Sequence, residues 1–315
     1  MIFREMRELG ILGINNRIGR FILRQNDRRN YPLVDDKVKT AARASAWGVP
    51  MPENYLEIGS VGDLKKLPQL VTNLSSFVIK PANGSQGNGI IVITEVIKDE
   101  NGWISFRRSS GKIMSMEEVR HHISGIISGL YSLSGRPDVT ILQQKIDMHP
   151  IFKDICFGGI PDVRVIVNQG FPVMSMVRLP TKKSDGKANL HQGAIGAGID
   201  LQTGTTNNAV INGQVVTAHP DTGQALSGVV IPHWQEVLEL AARCYDMVGL
   251  GYLGVDIVLT PDQGPIILEL NARPGLAIQI ANQKGLLPRL EKILKDAPSG
   301  LTAKERVAFS QAHII

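Results

Sequence analysis

The stretch Gly254-Val-Asp-Ile-Val-Leu-Thr-Pro-Asp-Gln-Gly-Pro-Ile-Ile-Leu-Glu-Leu-Asn-Ala-Arg-Pro-Gly275 decides how this chain is read. Two runs of branched aliphatics, residues 255–259 and 266–270, flank a Pro/Asp/Gly turn, which is a hairpin signature. With the loop at residues 261–264, Asp256 stands directly opposite Glu269 on the neighbouring strand. Asn271 lies two residues past Glu269 and shares its face, because strand side chains alternate. Two carboxylates about 5 Å apart among aliphatic flanks repel each other unless a cation lies between them. Carboxylates with an amide oxygen suit Mg²⁺ or Mn²⁺, hard ions that keep waters and take phosphate oxygens as further ligands. Asp256, Glu269 and Asn271 are therefore candidate metal ligands, and the implied partner is a nucleoside triphosphate. The plain alternative is an exposed hairpin face whose acids are merely solvated.

Composition sets the frame. With 315 residues and 43% hydrophobic side chains, the chain has the make-up of an ordinary globular protein of one large domain or two lobes. No apolar run approaches the roughly 20 residues that cross a bilayer, so no membrane span is expected. Cys156 and Cys244 fit no C-x-x-C pattern, which argues against a disulfide framework or zinc site and for a reducing cytoplasm. Lysine and arginine number 34 against 29 acids, and seven of the arginines fall within the first thirty residues. Such a segment could meet nucleic acid, an anionic membrane or an import receptor. Glu5 and Glu8 oppose a transit peptide, and Ile2, Phe3, Met6 and Leu9 fall on one helical face, so a packed helix with solvated arginines is expected. The aromatic-interleaved basic stripe of RNA-binding proteins is missing, and no nucleic-acid partner is expected.

Periodicity places the other elements. Asp35 or Asp36 can cap a helix over residues 37–47 that Gly48 ends. Residues 77–80 and 90–94 read as strands around a glycine-rich turn. Ser115 with Glu118 forms a capping box for a helix with Val119, Ile123, Ile126, Ile127 and Leu130 on its apolar face. Strands are expected at 139–143, 163–167 and 173–179, the last two joined by a Gln169-Gly170 turn. Residues 180–208 show no sustained periodicity and read as one long functional loop, a lid or binding element. Trp234, Val237, Leu238, Ala241, Tyr245 and Val248 mark a helix leading into the hairpin, and residues 286–294 a last one.

A second motif carries chemistry. Lys80-Pro-Ala-Asn-Gly-Ser-Gln-Gly-Asn-Gly89 sets a lysine at a strand end before a loop whose glycines let backbone N–H groups approach a phosphate. It is not a P-loop, since Ile90 stands where lysine should follow and a strand comes next. It also lacks G-x-G-x-x-G, which removes the main support for a dinucleotide fold. An ordinary hairpin turn with a surface lysine is the plain reading.

Taken in order, Asp36-Lys37 heading a helix, Lys80 with its glycine loop, the strand Ile141-Leu-Gln-Gln-Lys-Ile146, and Gly-Val-Asp256 paired with Glu269-Leu-Asn271-Ala-Arg-Pro-Gly resemble the ATP-grasp superfamily. Asp162-Val-Arg164, Arg178 and Ala188-Asn-Leu-His-Gln-Gly-Ala194 make the chain most similar to its α-L-glutamate ligase-like branch, related to the ribosomal-protein glutamate ligases. The resemblance spans roughly residues 31–290. It implies an α+β ATP-grasp fold, two lobes with antiparallel sheets clasping ATP. A basic helical lead would occupy residues 1–36 in place of the full domain that precedes the lysine helix in relatives. The catalytic domain would cover 37–290, with a nucleotide lobe at about 60–145, a metal and substrate lobe at about 146–290, and a tail at 291–315.

The resemblance further implies that Lys37 and Lys80 hold ATP phosphates, that Ser85, Gln86, Gly87 and Gly89 close over them, and that Gln144, Lys145 and Ile146 offer main-chain groups to adenine. Asp147 would serve the ribose, and Asn189 also falls in the nucleotide set. Asp256, Glu269 and Asn271 would hold Mg²⁺ or Mn²⁺, two ions in all. Arg164, Arg178 and Lys187 would neutralise the transferred phosphoryl group, with Arg273 anchoring a substrate carboxylate. His191 is a further candidate whose plain reading is an exposed loop histidine. The expected activity is ATP-dependent, ADP-forming carboxylate-amine ligation through an acyl phosphate, adding glutamate or another amino acid, with small-molecule or peptide substrates. Rivals are a phosphotransferase on the same fold and a nucleotide-binding module without turnover. A homo-oligomer is left open, and docking of the basic lead on an anionic surface is a further role that liposome binding would expose.

Overall fold

The computed structural model describes residues 8–84, 87–132 and 135–314. The chain divides into two compact units, one of residues 36–42 and 52–146, the other of the remaining segments up to 35, 43–51 and from 147 onward.

The smaller unit carries a six-stranded sheet: β1 (Asn54–Ile58), β2 (Phe77–Pro81), β3 (Ile91–Lys98), β4 (Ile104–Arg108), β5 (Ile113–Ser115) and β6 (Thr140–Gln143). Their order is β1-β6-β2-β3-β4-β5, every pair antiparallel. The helix Met116–Ile127 begins at the expected capping box, with Ser115 accepting from the Glu118 amide and the Glu118 carboxylate accepting from the Ser115 amide. Such a cap contributes about 1 kcal/mol. Its buried residues Val119, Ile123 and Ile126 join Phe77, Ile79 and Phe106 in one core, where Phe77 and Phe106 meet edge to face at 5.8 Å. Leu130, expected on that helix, lies past its end and is 70% exposed.

In the larger unit a seven-stranded sheet is formed by β7 (Asp162–Asn168), β8 (Phe171–Leu179), β9 (Ile195–Ile199), β10 (Thr206–Ile211), β11 (Gln214–Val216), β12 (Tyr252–Thr260) and β13 (Gly264–Asn271). The order is β11-β10-β9-β8-β7-β12-β13, again antiparallel throughout. β7 and β8 turn at Gln169 and Gly170, both at positive φ (51° and 84°), as a two-residue hairpin of primed type demands. The helices Trp234–Val248 and Ala303–His313 belong to this unit, and the buried Val237, Leu238, Ala241 and Val307 join its core. The α+β class with two antiparallel sheets is as expected.

One expectation is overturned. The supposed loop at 180–208 contains all of β9 and the start of β10. β9 is Ile-Gly-Ala-Gly-Ile, fully buried, and its glycines read as loop punctuation. They serve close packing instead: a Cβ on Gly198 would lie 2.9 Å from the Ala281 carbonyl oxygen and from the Asn282 Cα. The helix Ala303–His313, headed by a Thr302/Glu305 capping box, and the strands β1, β4 and β5 were also missed.

Ile2, Phe3 and Met6 of the expected lead helix lie outside the described residues, and Leu9 is 67% exposed. The segment is anchored further on. Leu12, Phe21 and Ile22 are buried, and Asn26 accepts from the Tyr252 amide at 2.8 Å while donating to the Tyr252 and Ala272 carbonyls at 2.8 and 3.2 Å. Among the described residues no helix is long and apolar enough to cross a membrane.

Candidate active site

The Asp256 hairpin reaches the anticipated pairing by a different route. The turn is one residue shorter than expected, with Thr260 opposite Gly264, and that register alone would place Asp256 across from Leu268. A bulge between Asp256 and Ile257 absorbs Leu268 and restores Asp256 opposite Glu269, with Gly254 opposite Asn271. Bulges re-aim side chains in this way beside functional sites.

On the other flank of β12, Asp256 stands opposite Arg164 of β7, and Asp162 of β7 faces Arg178 of β8. Asp162 and Arg164 share a face because they are two residues apart. Arg164 grips Asp256 with both arms of its fork, Nε to Oδ1 at 2.7 Å and Nη2 to Oδ2 at 2.6 Å. Arg178 grips Asp162 likewise at 2.5 Å twice, and its Nη2 also donates to Asp256 Oδ2 at 2.9 Å. Asn271 Nδ2 adds a fourth donor to Asp256 at 3.2 Å. Forked pairs of this kind are strong and fix geometry.

Electrostatics separates the two aspartates. Burial opposes charge on Asp256, but the guanidinium groups of Arg164 and Arg178 outweigh it and hold the carboxyl below the usual range. Asp162 is pushed up to about 6 by burial and by the neighbouring Asp256 charge, against the pull of Arg178. Arg178 itself is raised, Asp162 and Asp256 overcoming the effect of burial. Asp162 was quoted only as supporting a resemblance; the Asp-x-Arg spacing on a strand was the signal that could have placed it in the site.

As a cation site, Asp256, Glu269 and Asn271 offer only oxygen donors, the chemistry Mg²⁺ and Mn²⁺ prefer. Asp256 Oδ2 already takes three hydrogen bonds, whereas Oδ1 takes one from Arg164, so a lone pair of Oδ1 is left for an ion. Among the described residues no three His, Cys, Asp or Glu side chains cluster as a metal site; the amide of Asn271 would have to complete this one.

The remaining candidates lie elsewhere in their units. Lys187 and His191 are exposed on the connection before β9, where the Asn189 side chain accepts from the His191 amide at 3.0 Å. Arg273 stacks over the Tyr31 ring at 5.0 Å and meets Asp35 at 3.4 Å. Asp147 also falls in this unit.

In the smaller unit Lys80 is buried at the end of β2, and Lys37 Nζ donates to the Gly84 and Ala82 carbonyls at 3.0 and 3.4 Å. Asp36 caps the lysine helix, accepting from the Val38 and Lys39 amides. Ser85 and Gln86 lie outside the described residues. Gly87 and Gly89 have positive φ, and the Gly89 carbonyl meets His122 Nε2 at 2.9 Å. Sequence reasoning missed Asp138, whose carboxylate takes the Asn83 amide, the Asn83 side chain and the Val139 amide at 2.7–3.2 Å and so ties down the base of the glycine loop. The Gln144 amide donates to the Glu53 carbonyl at 2.8 Å, Ile146 is buried and Lys145 half-buried.

A family model described as sugar-transfer associated ATP-grasp matches residues 16–295. Among solved structures, the ATP-grasp ligase PsnB complexed with minimal precursor is 16% identical (TM-score 0.44), over 86% of this chain and 63% of that one. The D-alanine-D-alanine ligase from Coxiella burnetii is 12% identical (TM-score 0.48), over 91% and 62%. A RimK domain ATP-grasp protein from Sphaerobacter thermophilus is 14% identical (TM-score 0.44), over 86% and 70%. The chain thus spans less than two thirds of the length of the first two. No curated protein matches it by sequence.

Proposed function

We propose that this chain, which belongs to the sugar-transfer associated ATP-grasp family, is an ATP-dependent ligase that joins a carboxylate to an amine. The observation that carries the reading is the pairing of Asp256 with Glu269, Asn271 alongside and Arg164 and Arg178 on the adjoining strands. A carboxylate is too poor an electrophile to react with an amine directly. One of its oxygens attacks the γ-phosphorus of ATP, the bond to the leaving ADP oxygen breaks, and an acyl phosphate forms. The amine then adds to the acyl carbon, loses a proton and expels inorganic phosphate.

The protein's share is positioning and charge stabilisation, as in phosphoryl transfer generally. Asp256, Glu269 and Asn271 would hold the Mg²⁺ or Mn²⁺, which would supply positive charge to offset that of the phosphates. Arg164 and Arg178 meet the negative charge that builds on the transferred group; their present bonds to aspartates hold them oriented on strands rather than loops. Lys37, Lys80 and the loop from Ser85 to Gly89 take the phosphates, and main-chain groups of residues 144–146 take the adenine, with Asp147 and Asn189 beside the nucleoside. Lys187, His191 and Arg273 serve the acyl substrate. Amino acids, among them glutamate, and peptides are the first acids and amines to try in a cytoplasmic setting. The family's description, sugar-transfer associated, adds sugar derivatives to the panel.

The test is purified protein with Mg-ATP and pooled acids and amines, read by phosphate release and by mass spectrometry for condensation products. Glu269→Ala should lower phosphate release by about 10²-fold or more, the scale set by removing one preorganised electrostatic group. Wild-type turnover in that variant refutes the metal assignment. Phosphorylated acid accumulating with amine present refutes ligation and leaves phosphotransfer.

A further inference from the structure

The lead segment buries one side and leaves another side of unusual character. Leu12, Phe21 and Ile22 are in the core, yet Leu9, Ile14, Ile18 and Leu23 are 67%, 63%, 39% and 56% exposed. Ile14 opens a short α-helical turn, Ile14–Asn16, that runs directly into a six-residue π-helical turn, Arg17–Ile22, carrying Ile18. Ile18, Ile22 and Leu23, with Tyr31, Arg28 and Arg273, line an open cavity of about 480 Å³. Its walls are aliphatic and aromatic, and its charged members are both arginines.

Charge around this patch is one-sided. Between residues 13 and 31 there are five arginines and a single acid, Asp27. Asp27 is taken by Arg29, and Arg20 pairs with Glu291. Arg24 and Arg28 make no ion pair among the described residues, and Arg17 donates to the Pro274 carbonyl. Exposed aliphatics interleaved with uncompensated arginines are what an interfacial helix shows, its apolar side chains entering the headgroup boundary while basic residues meet lipid phosphates. A second copy of the same face is disfavoured, since a two-fold contact sets the arginines of one copy against those of the other.

We infer that residues 9–31 form a docking face for an anionic phospholipid surface, with Ile14, Ile18 and Leu23 entering the headgroup boundary and Arg24 and Arg28 facing the phosphates. The cavity at Ile18, Ile22 and Leu23 gives an acyl chain a place to lodge, with Arg28 beside it. The site is peripheral: it holds the protein on a membrane through this face.

The experiment is sedimentation of the full chain with vesicles of phosphatidylcholine alone or with phosphatidylglycerol as about one lipid in three. Binding should require the anionic lipid and fall steeply as salt rises from about 0.05 to 0.5 M, as surface charge is screened. Arg24→Ala with Arg28→Ala should weaken it roughly 5-fold per arginine, and Ile14→Ser, Ile18→Ser and Leu23→Ser about 10-fold each. Unchanged circular dichroism and melting establish that these surface variants fold, and Val61→Ser, equally exposed on the other unit, should bind as wild type. No binding, equal binding to neutral vesicles, or wild-type binding by the triple serine variant overturns the inference. So does a dimer in ultracentrifugation that the same serine variant dissociates.

Discussion

The two charged regions of this molecule are built in opposite ways. In the larger unit the charges sit on the strands β7, β8, β12 and β13, and both buried aspartates are held by side chains from neighbouring strands: Asp162 by Arg178, and Asp256 by Arg164, Arg178 and Asn271. In the smaller unit Lys80 leads into a glycine loop whose described ends are held by contacts from separate elements, Asp138 to Asn83 and Lys37 to Ala82 and Gly84 at its base and His122 to Gly89 at its far side. Buried forked ion pairs on strands fix geometry before any ligand arrives, while glycines leave backbone N–H groups free to adjust. Chemistry that stabilises a transition state gains most from the first arrangement, and closing over phosphates gains from the second.

Several changes break or sharpen that contrast. Asp256→Asn strikes the rigid side hardest, because Arg164 and Arg178 lose a buried counter-charge. Removal of one partner from such a cluster costs about 3–5 kcal/mol, measurable by urea unfolding, and a loss under 1 kcal/mol would show that the arginines re-pair without it. Asp162→Asn should act through pH. Asp162 is raised to about 6 from 3.8, so the stability it contributes is fully present below about pH 4 and lost as pH rises through 6. Asp256, held low, contributes in the opposite sense, its share being lost as pH falls. Asp162→Asn should therefore remove the decline between pH 4 and 6 from the unfolding profile, and a profile parallel to wild type speaks against the assignment.

Gly198→Ala tests the buried strand that its glycines disguise. The added methyl meets backbone at 2.9 Å, an overpacking that costs about 1–3 kcal/mol; a loop would accept it silently. Asp138→Ala, the smallest in global effect, should cost about 1–2 kcal/mol and raise hydrogen exchange at the Asn83 amide while leaving the amides of β7 and β12 as protected as in wild type. Equal loosening of both regions would show that Asp138 does more than hold Asn83 at the base of the loop.

Much of this was legible because the signals are local. The Ser115 and Glu118 cap, the Gln169-Gly170 turn and the helix of Trp234, Val237 and Leu238 each follow from a few neighbouring residues. β9 was not, since two glycines in five residues look like a loop until the Ala281 and Asn282 backbone is known to press on them. Nor was the bulge at Leu268: a turn one residue too long was assumed, and the irregularity cancelled that error. Asp138 was invisible as a loop anchor because its partner Asn83 lies 55 residues earlier.

By itself the sequence determined the kinds of charged group and the strands that carry them, because hairpin pairing and side-chain alternation are rules of short range. Which acid faces which base was decided only by the tertiary structure. β7 and β12 are about ninety residues apart, and their adjacency in the sheet brings Arg164 against Asp256. That adjacency follows from packing the whole apolar core, a condition no local window of sequence contains.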